Sequence, residues 1–482
     1  MEAVTARRER SVVAPYVLWP IAMAGFAIAC QVALPTARPE YDFVQGGEVV
    51  GHIIDRALLP VPVAQNGPNA WPVILAYFVA YPIAFLAYEG VLRSPRLRPA
   101  LVAFGLGLAC AIAVPLLITT DPYAYALYGL EAGPLGLNPY APGGANVAAT
   151  SWGHTLFALF PSPDAAVRVT NYGPAFALLY AGLAEIFSHA TLGAFVTIER
   201  VCGALSVVAT AAFLAYSVPN QRAAERLRRA CAFAFHPLVL FEFVAFAHGD
   251  VFMLLALAVA YWCFQHERIA AAGAFCGLAA CMRIVALFAL GALVVAAFRR
   301  GRGAAGASLA GAFGAIVVLG AISHVRFGSM SLGGPPVLNA YSAPLVALAY
   351  WLGGSGALRA GLLTETCAGV ALGAVMLVRV AHGRPARDLQ WLPLAALVAA
   401  PSFFPQYATW FVSLRGLTAD PRFVRVARAL SFSAPLSYVV HIDPFPAPGV
   451  PPEIQIVTLA AVWIPVLVAL ARLHLAPVAR RS

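Results

Sequence analysis

Residues 121–144 read DPYAYALYGLEAGPLGLNPYAPGG, and residues 171–174 read NYGP. The segment that contains them is the longest interruption in an otherwise apolar chain, and it is rich in acidic, aromatic and turn-forming residues. In a protein with many membrane spans the spans mostly form a scaffold, so a structured loop with an acid near the membrane surface is the expected place for chemistry. The sequence therefore makes Asp121 the first candidate for a functional residue.

The composition predicts an integral membrane protein. Hydrophobic residues make up 61% of the 482 residues and charged residues 11%, which is more apolar surface than a soluble domain of this length could bury. Apolar runs of about 20 residues end at Arg, Pro or Gly clusters and lack strand-like alternation, so the expected fold is all-α, a polytopic transmembrane helical bundle with about 14 spans. We expect residues 1–482 to form one membrane domain.

The charged residues and the cysteines limit the possible functions. The net charge of +10 comes mainly from Arg clusters between apolar runs, a pattern that sets membrane orientation and does not indicate nucleic-acid binding. The eight cysteines lie inside apolar runs, with no Cys-x-x-Cys pair and no His at ligand spacing. We therefore expect buried thiols without disulfides, no metal site and no cofactor.

The arginine clusters also predict the orientation of the chain. Arg7, Arg8 and Arg10 precede the first apolar run, so the N-terminus is expected in the cytoplasm. That run lacks a small-residue cleavage site, which favours a retained signal anchor. Later clusters alternate with polar loops in the same sense and place the C-terminus in the cytoplasm as well.

One segment conflicts with a simple count of spans. The helical pattern favours spans over both 173–189 and 196–217, ahead of the basic sequence PNQRAAERLRR at 219–229. Counting both would put these arginines on the outer face, against the orientation rule. Because 173–189 is the shorter of the two and follows a proline, we expect it to be an interfacial or re-entrant helix. The outer catalytic loop is then 120–195, with this juxtamembrane helix inside it.

Asp121 has two possible roles. An acid before a proline at a loop boundary is often a helix cap. Tyr125, Asn138 and Tyr140 follow within 20 residues, however, and aromatic rings stack on sugars while Asn and Asp bind hydroxyl groups. The tyrosines could equally form an interfacial belt, although a belt does not require the Gly-Leu-Asn-Pro-Tyr turn.

His248-Gly249-Asp250 is a second candidate cluster, and it is predicted to lie at the same outer membrane surface as Asp121. Capping of the following helix is the alternative role for this turn. Two acids and a histidine that converge on one membrane face favour a site. Gln406 and Tyr407 would line the outer end of a late span, where composition favours interfacial anchors over ligand contacts.

Arg283 interrupts the apolar stretch 269–298, which predicts two short helices that meet near the outer face with Arg283 between them. Burying an unpaired arginine costs several kcal/mol, so an anionic partner is expected. Structural pairing with Glu242 and contact with a lipid phosphate are both open.

Taken in order, these motifs resemble those of polytopic GT-C-fold glycosyltransferases that use polyprenyl-phosphate sugars, especially the polyprenol-phosphate-mannose mannosyltransferases. The matching residues are Asp121-Pro-Tyr-Ala-Tyr with Gly129, Gly136-Leu-Asn138-Pro139-Tyr140, Tyr172-Gly173-Pro174, His236-Pro237, His248-Gly249-Asp250, Arg283 and Pro405-Gln406-Tyr407. No single motif is specific for this family, and the resemblance rests on the order in which the motifs occur.

The resemblance implies transfer of a hexose, with mannose the expected sugar, from a polyprenyl-phosphate donor to a glycan or glycolipid acceptor. The expected location is the outer face of the bacterial inner (plasma) membrane. A carboxylate takes the proton of the acceptor hydroxyl, and a basic residue stabilises the departing phosphate. The resemblance carries the first role to Asp121 and less firmly to Asp250, and the second to Arg283.

Further substrate contacts follow from the same resemblance. The candidate substrate-binding residues are Tyr125, Asn138, Tyr140, Tyr172, His248, Arg283, Gln406 and Tyr407. The chain departs from the family at two of the quoted motifs: Gly249 stands where Asn is often found, and Arg283 stands where Lys is common.

A transporter or lipid flippase is the alternative class, because many helices with internal Arg, Glu and His would also suit a substrate pathway. Such folds are often built from repeats with interrupted helices in corresponding positions of the two halves. The sequence shows no such repeat, which favours the enzyme.

The orientation argument predicts that Gln221, at the start of the basic stretch, faces the cytoplasm. A Gln221→Cys variant should react with a membrane-impermeant thiol reagent only after the inner side is opened, because the reagent cannot cross the bilayer. The unmodified chain, with its eight native cysteines, gives the background. Labelling of Gln221→Cys in intact cells above that background would overturn the topology.

Overall fold

The structure is a computed structural model. It describes residues 2–37, 71–115, 119, 121–141, 147, 149–153, 170–328, 344–353, 357–384, 386–400, 403–418, 420–438 and 452–475. These residues form helices, turns and loops, with no strand among them. The predicted all-α class is therefore confirmed over the described part of the chain, and part of the predicted outer catalytic loop 120–195 lies outside it.

The chain divides into two compact units, Met1–Val337 and Leu338–Ser482. The α-helices of the first unit are α1 Glu2–Ala37, α2 Trp71–Arg93, α3 Leu97–Ile112, α4 Asp121–Ala132, α5 Pro174–Phe187, α6 Leu192–Ala215, α7 Ala223–Ala234, α8 Pro237–Leu240, α9 Asp250–Gln265, α10 Ile269–Ala280, α11 Leu287–Phe298 and α12 Arg302–Phe327. A π-helical turn, Phe241–Ala245, continues α8, and a 3-10 turn, Ile284–Ala286, precedes α11.

The second unit is also helical in its described residues. Its α-helices are α13 Pro344–Gly353, α14 Leu358–Ala381, α15 Leu392–Ala399, α16 Pro405–Val412, α17 Pro421–Ser433 and α18 Pro452–Leu475. That both units act as one membrane domain stays a prediction.

Five helices in the described residues are long and apolar enough to cross a membrane: Val13–Gln31, Pro72–Arg93, Leu192–Ala215, Arg302–Phe327 and Arg359–Ala381. Several further apolar helices are shorter. Helix α5 has 14 residues. At 1.5 Å per residue it is about 21 Å long, shorter than the roughly 30 Å hydrocarbon core. That this segment does not cross the membrane stays a prediction. The total of about 14 spans stays a prediction.

Gly129 in α4 and Gly133, directly after its last residue, let this segment lie directly on the backbone of α5. A methyl group on Gly129 would be 2.6 Å from the carbonyl oxygen of Tyr180, and one on Gly133 would be 2.5 Å from that of Ala181. The four-residue spacing of the two glycines puts both on one face of α4. The contact fixes Asp121, at the start of α4, relative to α5.

The stretch 269–298 is broken at Arg283, as the sequence predicts: α10 ends at Ala280 and the 3-10 turn begins at Ile284. The segment before α5 pairs with this break through its backbone, since Gly173 N donates to Met282 O (3.0 Å) and Ala175 N donates to Cys281 O (2.9 Å). A methyl group on Gly173 would lie 2.3 Å from Cys281 O. Only glycine allows this approach, which brings Tyr172 next to Arg283.

The pairing of α10 with α12 uses the same kind of contact. Methyl groups on Gly273 and Gly277 would be 1.9 Å from Ser308 O and 2.5 Å from Ala312 O. From the other side, a methyl group on Gly311 would be 2.0 Å from Ala270 O. Small residues at these positions allow close van der Waals packing of helices within a bilayer.

Two glycines of α12 give a matched test of this packing. Gly311→Ala should lower the thermal unfolding midpoint, because overpacking typically costs about 1–3 kcal/mol. Gly314, three residues further, has no neighbouring atom within 4 Å. Gly314→Ala should leave the midpoint unchanged or raise it slightly, since Ala is favoured over Gly in a helix by about 1 kcal/mol. Equal midpoints for the two variants, measured in the same detergent, would contradict the close packing.

Candidate active site

Asp121 begins α4, and its carboxylate is reachable. The backbone N–H of Asp121 donates to the hydroxyl of Thr119 (3.2 Å), so a threonine side chain satisfies the first N–H group of the helix. The Asp121 side chain is 37% exposed. Its Oδ2 atom accepts a hydrogen bond from the Tyr125 hydroxyl (3.2 Å), one turn along α4, and lies 3.4 Å from His248 Nε2. Both contacts use Oδ2, and Oδ1 has no hydrogen bond or ion pair within the part of the chain that the structure describes.

A chain of hydrogen bonds runs from Asp121 to Arg283. The Tyr125 and Tyr172 hydroxyl oxygens are 2.6 Å apart, and Arg283 Nη2 donates to the Tyr172 hydroxyl at 2.5 Å. Burial and the neighbouring Asp121 carboxylate raise the pKa of Tyr125 well above its ordinary value. The phenol therefore keeps its proton and can donate to Asp121.

Arg283 lies between an aromatic ring and an acid. Its guanidinium is centred 3.9 Å from the middle of the Tyr172 ring, and its Nη2 is 3.2 Å from Asp250 Oδ2. The Asp250 side chain is fully buried, whereas Arg283 is 13% exposed. The acid partner found at Arg283 is thus Asp250, at the start of α9, while Glu242, which the sequence suggested as a structural partner, lies against His248. Asp250 is positioned to hold Arg283 in place.

His248 connects Asp121 to a second buried acid. Its Nδ1 atom is 3.2 Å from Glu242 Oε2 and 3.0 Å from the Glu242 carbonyl oxygen, and its Nε2 atom is 3.3 Å from the Thr119 hydroxyl. Burial lowers the pKa of His248, but the hydrogen bond to Glu242 and the charges of Asp121, Glu242 and Asp250 outweigh this and raise the pKa above its ordinary value.

The floor of the site is a stack of three aromatic rings from α5 and the residues before it. Tyr172 and Phe176 are stacked at 3.9 Å and Phe176 and Tyr180 at 4.4 Å between ring centroids. Tyr125 and Tyr172 are both buried. Their rings are therefore packed against protein, and what they present toward Asp121 and Arg283 is their hydroxyl groups.

Asn138 and Tyr140 form the turn after α4. The Asn138 side-chain oxygen accepts a hydrogen bond from Tyr140 N (2.9 Å), a common turn-forming contact. Thr170 N donates to Pro139 O (2.9 Å), which fastens this turn to the residues that precede Tyr172. Tyr140 packs with Phe327 and the alanines of a small core cluster. No contact in the described residues joins the two side chains to Asp121, and their role in binding stays a prediction.

Gln406 and Tyr407 lie in the second unit, at the start of α16. Both are buried, and Tyr407 is stacked on Trp410 with a centroid distance of 4.5 Å. Their part in substrate binding stays a prediction.

The sequence missed the contributions of Thr119 and Glu242. A threonine two residues before an Asp-Pro helix start is a signal for the cap, and an acid six residues before a histidine on an interrupted helix is a weaker signal for the pair. Six predicted residues do come together in the first unit, and they are Asp121, Tyr125, Tyr172, His248, Asp250 and Arg283.

A reachable carboxylate near a buried arginine, in an all-helical apolar chain, fits a membrane glycosyltransferase of GT-C type. Residues 65–299 match the family model described as alpha-(1->6)-mannopyranosyltransferase, N-terminal domain. This part of the chain, which holds all six residues of the network, is similar to that mannosyltransferase family, and the resemblance drawn from the motifs is confirmed. No curated protein and no solved structure matches the chain significantly.

The buried ion pair makes a stability prediction. Arg283→Gln leaves the Asp250 carboxylate buried without its cation, which typically costs about 3–5 kcal/mol, so the thermal unfolding midpoint should fall strongly. In the double variant Arg283→Gln with Asp250→Asn most of that loss should be recovered, since neither member of the pair is then charged. Arg326→Gln is the control, because it breaks a half-exposed pair with Glu185 that is worth about 1 kcal/mol or less. A double variant no more stable than Arg283→Gln would contradict the pairing.

Proposed function

We propose that this protein transfers a hexose, with mannose the expected sugar, from a polyprenyl-phosphate donor to a glycan or glycolipid acceptor. The reaction takes place at the outer face of the bacterial inner membrane, with Asp121 as general base. The observation that carries the proposal is the Asp121 carboxylate, which is 37% exposed and fixed through Oδ2 by Tyr125 and His248. Its free Oδ1 is the atom that would meet an acceptor hydroxyl.

The two candidate acids differ in their surroundings. A general base must come within hydrogen-bond distance of the proton that it removes. Asp121 is reachable, whereas the Asp250 side chain has no exposed surface and is paired with Arg283 at 3.2 Å. These contacts favour Asp121 as the base and give Asp250 the task of holding Arg283.

The proposed step is a single displacement. The acceptor oxygen bonds to the anomeric carbon of the donor while its proton passes to Asp121 Oδ1. The bond from the anomeric carbon to the phosphate oxygen breaks, and its electron pair leaves with the polyprenyl phosphate. Attack opposite the leaving group inverts the anomeric carbon. The charge that grows on the phosphate needs a cation close by.

Arg283 is the proposed cation. It keeps 13% of its side chain exposed although Asp250 and Tyr172 hold one of its nitrogens. The stack on the Tyr172 ring orients the planar guanidinium. A guanidinium fixed in this way can meet a phosphate without first paying the entropy of ordering a long side chain.

The alternative of a transporter or lipid flippase is not favoured. The family match concerns a mannosyltransferase domain and covers the residues of the network. If the protein bound a polyprenyl-phosphate sugar but formed no transferred product, the result would favour a transporter or flippase.

Asp121→Asn tests the proposal. Asn keeps the size of the side chain and can accept the Tyr125 hydrogen bond, but it cannot take a proton. The rate of transfer from a labelled polyprenyl-phosphate mannose should fall about 100-fold to 10,000-fold, while donor binding and the unfolding midpoint change little. The purified protein in detergent, with product separated from donor, gives the measurement.

The chain offers a matched control for this variant. Asp420 also precedes a proline at a helix start, and its Oδ1 accepts a hydrogen bond from Arg422 N (2.9 Å) as a cap. Asn is as good a cap as Asp, so Asp420→Asn should transfer sugar at the wild-type rate. Near wild-type transfer by Asp121→Asn would refute its role as base and make Asp250 the candidate.

A further inference from the structure

Glu242 is a buried acid that the proposed displacement does not use. Its side chain has no exposed surface, and it lies in the π-helical turn Phe241–Ala245 that continues α8. π-Helical turns are rare in proteins, and those that occur often lie at functional sites. Rings from two other helices hold the turn: Phe241 is 5.0 Å from both Phe26 of α1 and Tyr77 of α2, measured between centroids.

The backbone after this turn is strained in a way that presents His248 to Glu242. Ala247 has a φ of 53°, a left-handed conformation that a residue with a Cβ adopts only at a cost. The next residue, His248, donates its backbone N–H to the carbonyl oxygen of Glu242 (2.8 Å). Both the main chain and the ring of His248 are therefore fastened to Glu242.

The contacts of the ring determine where its protons lie. Nδ1 faces two acceptors, the Glu242 carbonyl oxygen at 3.0 Å and Glu242 Oε2 at 3.2 Å, so Nδ1 carries a hydrogen. Nε2 faces Asp121 Oδ2 at 3.4 Å, which is an acceptor when the aspartate is ionised, and the Thr119 hydroxyl at 3.3 Å, whose oxygen can also accept. A hydrogen on each nitrogen satisfies both carboxylates, and the histidine is then a cation between two anions.

Resting on the proposed function, we infer that Glu242 is a positioning residue that keeps His248 doubly protonated, so that His248 Nε2–H fixes Asp121 Oδ2 and leaves Oδ1 to the acceptor. Glu242 touches neither substrate, and it acts through the imidazole. The contacts run from Glu242 in the π-helical turn through His248 to Asp121 at the start of α4. The orientation of the base therefore depends on a residue in the protein interior.

The charges around His248 agree with this role. Asp121 faces it from α4, Glu242 from the π-helical turn and Asp250 from α9. Tyr77 and Tyr81 of α2 face Glu242 from the other side. The pKa of His248 is raised above its ordinary value by Glu242 and the other carboxylates against the effect of burial. The cation is thus stable at lower pH and is lost as pH rises through that raised value.

Glu242→Gln tests the inference, because it keeps the shape and the acceptor but removes the charge. His248 should then lose its second proton at a lower pH, and the unprotonated Nε2 would repel the Asp121 carboxylate. We expect kcat at neutral pH to fall about 10-fold to 100-fold, with little change in the KM for polyprenyl-phosphate mannose. The alkaline limb of the pH profile of kcat should move to lower pH.

Glu365→Gln is the control for loss of a buried acid. Glu365 is also buried, and its Oε2 atom accepts hydrogen bonds from Leu345 N (3.2 Å) and Val346 N (3.1 Å) in the second unit. This variant should leave the pH profile of kcat unchanged. If Glu365→Gln moved the alkaline limb as Glu242→Gln does, the specific role of Glu242 would be refuted.

His248→Gln separates positioning from a merely structural role. If Glu242 acts through the imidazole of His248, Glu242→Gln should add almost nothing to the loss in kcat that His248→Gln already causes. A double-mutant cycle measures this. If the two losses multiply, Glu242 acts independently of His248 and the inference is wrong. The double variant Glu242→Gln with His248→Gln lacks both partners of the buried pair. It can therefore still be folded and assayed if Glu242→Gln alone unfolds.

A readout that does not depend on catalysis keeps the two proposals apart. In protein labelled with ¹⁵N-histidine, the resonance that disappears in His248→Gln should titrate above the ordinary histidine range, and Glu242→Gln should lower its midpoint. This result supports the pair even if Asp121→Asn transfers sugar normally, which would overturn only the proposed function. An unmoved midpoint together with an inactive Asp121→Asn would overturn only the role of Glu242.

Discussion

The ion pair between Arg283 and Asp250 joins the two parts of the first unit on which the site depends. A cation in an apolar surrounding requires an anion close by, and the 3.2 Å contact supplies it at the junction of α9 with the break between α10 and α11. The same guanidinium bonds to the Tyr172 hydroxyl, which is itself held by the backbone pairing of Gly173 with Met282. One buried charge thereby contacts two further segments of the chain, the start of α9 and the residues before α5.

The site combines rigid packing with local strain. Glycines hold α4 against α5 and the Tyr172 segment against the helix break. The π-helical turn and the left-handed Ala247 then turn His248 toward Asp121, a conformation that packed neighbours must impose. In the resulting carboxylate, Oδ2 accepts from the Tyr125 hydroxyl and lies 3.4 Å from His248 Nε2, whereas Oδ1 has no hydrogen bond to the described residues. An acid on a mobile loop would not keep this difference between its two oxygens.

The sequence predicts the helical class, the break at Arg283 and six residues of the network, because apolar runs, an isolated charge and clustered polar residues are visible along the chain. The pairing of Arg283 with Asp250 was not predicted, since both Glu242 and Asp250 are acids in apolar surroundings and only the packing selects between them. The contact of His248 with Glu242 depends on a π-helical turn, which has no reliable sequence signal. Asn138 shows a further limit: an Asn-Pro-Tyr sequence suits a ligand contact and a turn equally, and its side chain is found in the turn.

Gly249 has a neighbour that explains why this chain lacks a side chain there. A methyl group on Gly249 would lie 2.4 Å from Cε2 of Phe176, and that ring is stacked between Tyr172 and Tyr180, so it has no room to swing aside. A side chain at 249 is thus incompatible with the aromatic ring at 176 in its present position. The residues at 249 and 176 are therefore expected to vary together during evolution. With glycine at 249, the stack of Tyr172, Phe176 and Tyr180 stays complete next to Arg283.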